Sequence, residues 1–347
     1  MDFHKIDNIT IDKVISAHMA DLSVQEKFGV KYHQFWVNEK AGTVFCLTEG
    51  PDAKTCEMVH QMAHGNVACA ITEVEPGYYK LLMGENHHVD HDGIVKKKDG
   101  SIDLGYRCIL VASIRGMTNA NDSMEHPMLQ IPRWAKSTAY QNIAKFQGRE
   151  VTWDANDSII GVFNEATEAV KCACQVQREL STNEMKVVFK IGISADQPVT
   201  ENGEFFTEAI TSARRLSTTA EDNSILISSL VKKLCKDEEV HPDSVLKYLD
   251  ATDEQFISDL LSLTDKNLSN KGFTIGTICK DIGISRPQLY RKITSLTGRA
   301  PNDFLRDLRM GKALILLKQK AGNISQVAME VGYNNPSYFA KCFAEKF

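Results

Sequence analysis

The sequence contains no apolar run near the roughly eighteen residues that a helix needs to cross a bilayer, which excludes an integral helical membrane protein. Its start, Met1 to Val14, has no basic segment followed by an apolar core, so no secretory signal is expected and the chain should remain cytoplasmic. A cysteine framework is missing too. The nine cysteines are scattered singly, apart from Cys172-x-Cys174, whose spacing is too tight for a C-x2-C zinc knuckle, so they are expected to be reduced and mostly buried.

What is present is an uneven distribution of charge. The formal net charge is −5, yet residues 266–347 hold 14 Lys+Arg against 5 Asp+Glu, while the rest holds 26 against 40. A basic tail of about eighty residues on an acidic body is the electrostatic footprint of a nucleic-acid-binding module joined to something else. At 347 residues the chain also exceeds what one core usually organises, which predicts a multidomain protein.

Three units follow from the pattern along the chain. Residues 1–80 read as a small α+β sensor domain: a helical pattern over 11–27, an aromatic and β-branched hairpin at 32–36 and 43–48, a helix from Pro51 to Met62 closed by Gly65, and an apolar strand at 69–74. The polar stretch 81–104 reads as a linker with at most one short strand. Residues 105–236 alternate strand candidates (108–114, 158–163, 187–193, 225–227) with helical patterns (133–147, 165–179, 206–219), an α/β order. A second linker spans 237–254, and 255–347 is helical throughout, punctuated by glycine turns.

That last unit contains an approximate repeat. Ile278 and Cys279 precede Gly283, then Ser285 opens a helix that buries Leu289 and Ile293; Val327 and Ala328 precede Gly332, then Asn334-Asn335-Pro336 opens a helix that buries Phe339 and Phe343. Glycine permits the tight turn, and the i, i+4 pair seats the second helix of each unit on its neighbour, as a helix-turn-helix requires. The outward positions of the first such helix are Arg286, Pro287, Tyr290 and Arg291, with Arg291 suited to bidentate contact with guanine and Arg286 to phosphate. The second offers Asn335, Ser337, Tyr338 and Lys341, and the long intervening helix brings Arg306, Arg309 and Lys312 toward the backbone. A helical bundle that binds protein would be the non-DNA reading of the same pattern. The run Thr274 to Ser285, Leu289-Tyr-Arg-Lys-Ile293, Thr297-Gly298, Ile324 to Tyr333 and Phe339-Ala-Lys-Cys-Phe343 resembles the AraC-type DNA-binding domain. The resemblance implies a transcription regulator with double-stranded DNA, and then RNA polymerase, as partners. Such domains normally continue for a dozen or so residues beyond this point, so the second unit is expected to be the weaker one.

The stretch 148–163, with 169–177, Ile191-Gly192-Ile193 and Ala213-Arg-Arg-Leu216, resembles the class III nucleotide cyclase homology domain. Those enzymes hold two metal ions on two carboxylates. Carried over position by position, the second carboxylate falls on Asp157 and the first on Ser113, the base-selecting lysine on Trp153 and the transition-state asparagine on Thr211, leaving Arg215 of the phosphate-steadying pair. Asp122 and Asp154 lie near enough for a shifted register to recruit them. The resemblance therefore implies a vestigial site at Asp157 and Arg215 and no enzyme activity, the domain serving homodimerisation, relay or ligand binding; the alternative is a signalling enzyme with nucleotide cyclase activity.

In the first unit, His60 and His64 stand at i, i+4 on one helix face, a geometry that suits a shared metal, with His18 and His33 able to complete the set. The alternative is one histidine packed on the sheet and the other in solvent. His87, His88 and His91 with Asp90 and Asp92 read as a solvated loop. Residues 35–53 and 59–65 resemble a small bacterial family described as nickel-binding, which implies a ferredoxin-like fold and Ni or Zn at His60 and His64.

Overall fold

The structure, a computed structural model, describes residues 1–84, 88–116, 131–151, 158–184, 187–199, 205–235 and 245–347. The first unit is built from β1 (Asp2–Lys5), α1 (Ile11–Val24), β2 (Lys31–Asn38), β3 (Thr43–Glu49), α2 (Ala53–Ala63) and β4 (Ala70–Ile71). Its sheet runs in the order β2-β3-β1-β4. Antiparallel pairing sets Asp2 opposite Cys46 and Phe3 opposite Phe45. Strand alternation then decides which side chain goes where. Asp2 and His4 share the face that meets α1 and α2, while Phe3 points the other way, into a core with Trp36, Phe45, Ile109 and Val111.

That core joins the first unit to the second, so residues 81–104 are not a free linker. Helix α3 (Pro76–Met83) buries Leu82 and Met83 completely, and the hairpin β5 (His88–Val89) and β6 (Val95–Lys96) buries Val95. Asp103 pairs with the fully buried Arg107 at 2.9 Å, and Arg149 donates to the carbonyl of Leu81 at 2.8 Å. Polar composition misleads here because the apolar positions are few but all inward.

The middle unit comprises β7 (Arg107–Gly116), α4 (Arg133–Lys145), β8 (Arg149–Val151), β9 (Ile159–Phe163), α5 (Ala166–Thr182), β10 (Val187–Asp196), α6 (Thr207–Thr219), β11 (Ser224–Ile227), α7 (Ser229–Leu234) and β12 (Leu246–Tyr248). The six-stranded sheet runs β12-β11-β10-β7-β9-β8, mixed in direction, with β10, β11 and β12 parallel. Helices α4, α5 and α7 cover one face over a core of Leu110, Ala139, Val170, Phe189 and Ile191. Helix α6 and the first unit cover the other. β12 lies within 237–254, so part of that second linker is sheet as well.

Gly192 sets how closely α6 can approach. A methyl group there would lie 2.2 Å from the Ala213 carbonyl oxygen and 2.3 Å from the Ser217 nitrogen, both main-chain atoms that cannot swing aside. Gly192→Ala should therefore push α6 off the sheet and lower stability by about 1–3 kcal/mol, the usual cost of overpacking. A thermal melt checks this, and an unchanged midpoint would mean that α6 has slack.

The last unit is all helical: α8 (Ala251–Asn267), α9 (Ile275–Ile282), α10 (Arg286–Thr297), α11 (Pro301–Lys318), α12 (Ile324–Glu330) and α13 (Pro336–Lys346). Leu216, Ala220, Leu226 and Leu249 of the middle unit share a core with Phe256, Leu260, Ile278, Leu289 and Ile293. The second helix pair has its own smaller core around Met310, Val327, Ala328 and Phe339. Among the described residues no helix is long and apolar enough to cross a membrane, and the cysteines form no disulfide.

Candidate nucleic-acid interface and metal centre

The two helix pairs, α9–α10 and α12–α13, are built by the same local devices. Gly283 and Gly332 adopt left-handed φ of +76° and +81° at the turns, where a side chain would be strained. Ser285 and Gln288 cap α10 reciprocally, as Asn323 and Gln326 cap α12, and each such box satisfies two otherwise orphaned amides. Leu289 and Ile293 are buried, as are Phe339 and Cys342, which fixes the opposite face of each second helix outward.

Arg286, Pro287, Tyr290 and Arg291 all stand exposed on α10, with Tyr290 54 % accessible. On α13, Ser337, Tyr338 and Lys341 are exposed. Counted from their N-caps, Arg291 and Lys341 occupy the same position, one basic group per helix. Asn335 acts within the protein. Its carboxamide oxygen accepts from the amides of Ser337 at 2.9 Å and Tyr338 at 3.1 Å, which makes it the N-cap of α13. Arg306 reaches solvent beside Asp303.

Arg309 does not face outward. Its guanidinium donates to the Phe273 carbonyl at 3.1 Å, lies 6.0 Å from the Tyr333 ring centre and closes against Gly332. Three residues of helix turn it about 60° from Arg306, enough to carry it from the surface into the seam between helices. Burial lowers its pKa.

Of the positions carried over from the cyclase resemblance, Ser113 and Arg215 lie within the described residues and make contacts inside the protein. Asp157 and Trp153 lie outside the described residues, with Asp122 and Asp154. Ser113 sits on β7 opposite Lys190, its hydroxyl 3.2 Å from that of Ser217. Arg215 reaches α8, donating to the hydroxyls of Ser258 and Ser262 at 2.8 Å each. It thus ties the middle unit to the helix that leads into the helix-turn-helix units. Arg215→Ala should free α8 at a cost of about 2 kcal/mol, since hydrogen bonds from a charged donor are the stronger kind. Faster proteolytic cutting within α8, with the far helices still protected, is the expected readout; an unchanged digest would show the shared apolar core to be sufficient.

In the first unit β1, α1 and α2 assemble a buried cluster of imidazoles and carboxylates. His60 lies 3.1 Å from Asp2 through Nε2 and 3.1 Å from Asp21 through Nδ1, and His64 lies 3.3 Å from Asp21. The ring of His4 stands edge-on to His60 with centres 4.8 Å apart. Asp2, His4 and His60 form one set, and Asp21, His60 and His64 another, whose donor atoms lie within 4.8 Å of one another. Burial opposes charge on His60, but its hydrogen bonds to Asp2 and Asp21 outweigh it and raise the pKa to about 9. Burial and the neighbouring His60 push His4 down to about 4. Burial would raise Asp21, yet His60 and His64 hold it low.

His33 is not part of this cluster. Tyr32 points inward, its hydroxyl 3.4 Å from His60, so strand alternation sends His33 to the outer face, where it meets Glu49 at 3.3 Å. His18 is buried beside the cluster against Phe35, 5.1 Å between ring centres, and its Nδ1 has no hydrogen-bond partner. A cavity of about 500 Å3 opens on His4, His18, His60 and His64, with Ile9 and Val14 on its walls. Of the loop histidines, His91 pairs with Asp92 at the surface and His87 lies outside the described residues.

The donor set suits the proposed metals. Imidazole nitrogen and carboxylate oxygen are the ligands of borderline divalent ions such as Ni2+ and Zn2+. Helical spacing in the sequence marks His60 and His64 only. Asp2, His4 and Asp21 come from other elements, and nothing in their local spacing marks them.

Comparison with known proteins divides along the same lines. Residues 1–74 match the family model for nickel responsive protein SCO4226-like, and residues 278–347 match a helix-turn-helix domain. The DNA-binding dual transcriptional regulator Rns of Escherichia coli is 31% identical over 127 residues, 36% of this chain and 46% of Rns. The crystal structure of SCO4226 from Streptomyces coelicolor A3(2) is 40% identical, covering 21% of this chain and 90% of that one, with a TM-score of 0.20. An adenylate/guanylate cyclase/hydrolase from Silicibacter pomeroyi is 24% identical over 40% of this chain and 83% of that chain, with a TM-score of 0.32. The chain spans half the length or less of the curated relatives it matches. Family models thus cover the first unit, as SCO4226-like, and the helical end, as a helix-turn-helix domain.

Proposed function

We propose that the chain is a sequence-specific DNA-binding transcription regulator that senses a divalent metal through its first unit, without catalytic activity of its own. The observation that carries this reading is the pair of helix-turn-helix units whose second helices both turn a basic, aromatic-bearing face to solvent. Arg291 and Lys341 read or grip DNA from equivalent positions, Arg286 and Arg306 hold phosphate, and Pro287, Tyr290 and Ser337 line the contact. Two such helices on one side of B-DNA fall in successive major grooves about 34 Å apart.

The metal, Ni2+ or Zn2+, would be held by His60 and His64 with Asp2, His4 and Asp21, and would supply positive charge to a cluster that otherwise keeps a proton on His60. β1 connects this cluster to the rest of the chain. It offers Asp2 and His4 to the cluster and Phe3 to the core shared with β7, so a shift of the strand is felt in the middle unit. For that shift to act as a signal, the metal must favour one DNA-binding state over another.

The middle unit serves as connector and as a site for homodimerisation. A cytoplasmic protein with RNA polymerase as a second partner follows from the same reading. Serine at 113 cannot bridge two metal ions, so ATP or GTP with Mn2+ should yield no cyclic nucleotide. The direct test is selection of binding sequences from genomic fragments by the full chain, followed by footprinting. Two protected half-sites about one helical turn apart are expected; fragments recovered without any shared sequence would reject the reading.

A further inference from the structure

We propose that the seam between the middle unit and the DNA-binding unit is a binding site for a small phosphate-bearing anion, formed by Arg115, Lys190, Arg299 and Lys346. These four basic groups come from separate places: the end of β7, the middle of β10, the turn after α10 and the end of α13. Two carboxylates answer them. Asp222, in the turn between α6 and β11, presents a single oxygen, Oδ1, to three of the four: Arg299 at 2.6 Å, Lys190 at 3.6 Å and Arg115 at 4.0 Å. Asp307 takes Lys346 at 2.8 Å and also the second arm of Arg299.

Among the described residues these four cations meet two carboxylates, which leaves two positive charges over at a half-buried seam. The side chain of Lys190 is 11 % accessible and that of Arg299 19 %. Ser113, the register partner of Lys190, adds no negative charge. Burial, with Arg299 and Arg115 nearby, pulls Lys190 down to about 8 despite Asp222. Half-buried charge without a counter-charge is costly. A phosphoryl group removes the deficit, because it brings a separate oxygen to each of Arg115, Lys190 and Arg299, which one carboxylate oxygen cannot do.

A DNA phosphate is a poor occupant. Arg299 follows the C-terminal end of α10, about 18 Å along the helix from Arg286 at the outward end. A soluble anion, by contrast, would touch the middle unit and both helix pairs at once, and so fix how the DNA-binding unit sits.

The test uses the full chain without DNA, titrated with inorganic phosphate, pyrophosphate and ATP in metal-free buffer at constant ionic strength, read by calorimetry and thermal shift. At least one probe should bind saturably and raise the melting temperature. Arg115→Gln, which removes one charged donor, should weaken it about tenfold. Asp222→Asn, which removes the competing carboxylate, should tighten it. Should Arg115→Gln fail to fold, Lys346→Gln takes its place. The proposal is overturned if no probe binds saturably, or if binding is the same in Arg115→Gln, or if Asp222→Asn weakens it.

Discussion

Replacing Arg291 with alanine is expected to weaken binding to the chain's own operator by about 1–3 kcal/mol, a factor of roughly five to 150. The side chain is exposed on the outer face of α10, one turn in from the capped end, where a guanidinium can present two donors to the edge of a guanine. Nothing it does inside the protein is lost, so the melting temperature should not move. Selectivity should fall along with affinity, because a base contact carries sequence information and a phosphate contact does not. Equal weakening on operator and unrelated DNA would assign Arg291 to the backbone instead. Arg309→Ala is the matched contrast: its guanidinium joins Phe273 to the turn at Gly332, so that variant should melt early.

His60→Ala should have the larger effect on the protein itself. The imidazole stands between Asp2 and Asp21, both almost fully buried, and its pKa of about 9 keeps it charged at neutral pH. Without it the two carboxylates lose the donor they share, and Asp2 is left with the Thr48 hydroxyl at 3.2 Å and Asp21 with His64. Breaking a buried pair by removing one partner costs about 3–5 kcal/mol, so the metal-free variant should be strongly destabilised. It should also lose stabilisation by Ni2+ or Zn2+, since His60 belongs to both donor sets. His64→Ala separates the two effects, because that residue is nearer the surface and meets one of the two buried carboxylates, Asp21, while its Nδ1 accepts from the Asn66 amide. A melting curve for His60→Ala that matches the wild type, with metal still stabilising it, would remove His60 from the centre.

How far these sites can be read from sequence depends on whether their information is local. Glycine turns, reciprocal caps and an i, i+4 apolar pair are all set within a dozen residues, which is why both helix-turn-helix units are legible down to Leu289 and Phe339. The same holds for the helices expected at 133–147, 165–179 and 206–219, found at 133–145, 166–182 and 207–219. The metal cluster is a tertiary object. Helical spacing marks His60 and His64, but Asp2 and His4 lie on a four-residue strand with no alternation to announce it, and Asp21 reads as one more polar residue on α1. His33 misleads in the opposite way, as an apt residue type on the wrong face of its strand. Residues 81–104 resemble a linker because burial of Leu82, Met83 and Val95 is decided by neighbours far along the chain. Arg215 marks a further limit: a resemblance locates it, and only the packing of α8 reveals what its guanidinium holds.

The central claim is that metal at the first unit and operator at the last are linked through one chain. Fluorescence anisotropy of a selected operator fragment, titrated with the full chain across a salt series with and without Ni2+ or Zn2+, tests it directly. The expected result is a metal-dependent change in operator affinity of at least severalfold, absent in His64→Ala and without parallel on unrelated DNA. Operator binding that is tight and selective but identical with and without either metal would leave a DNA-binding protein whose first unit does not govern it.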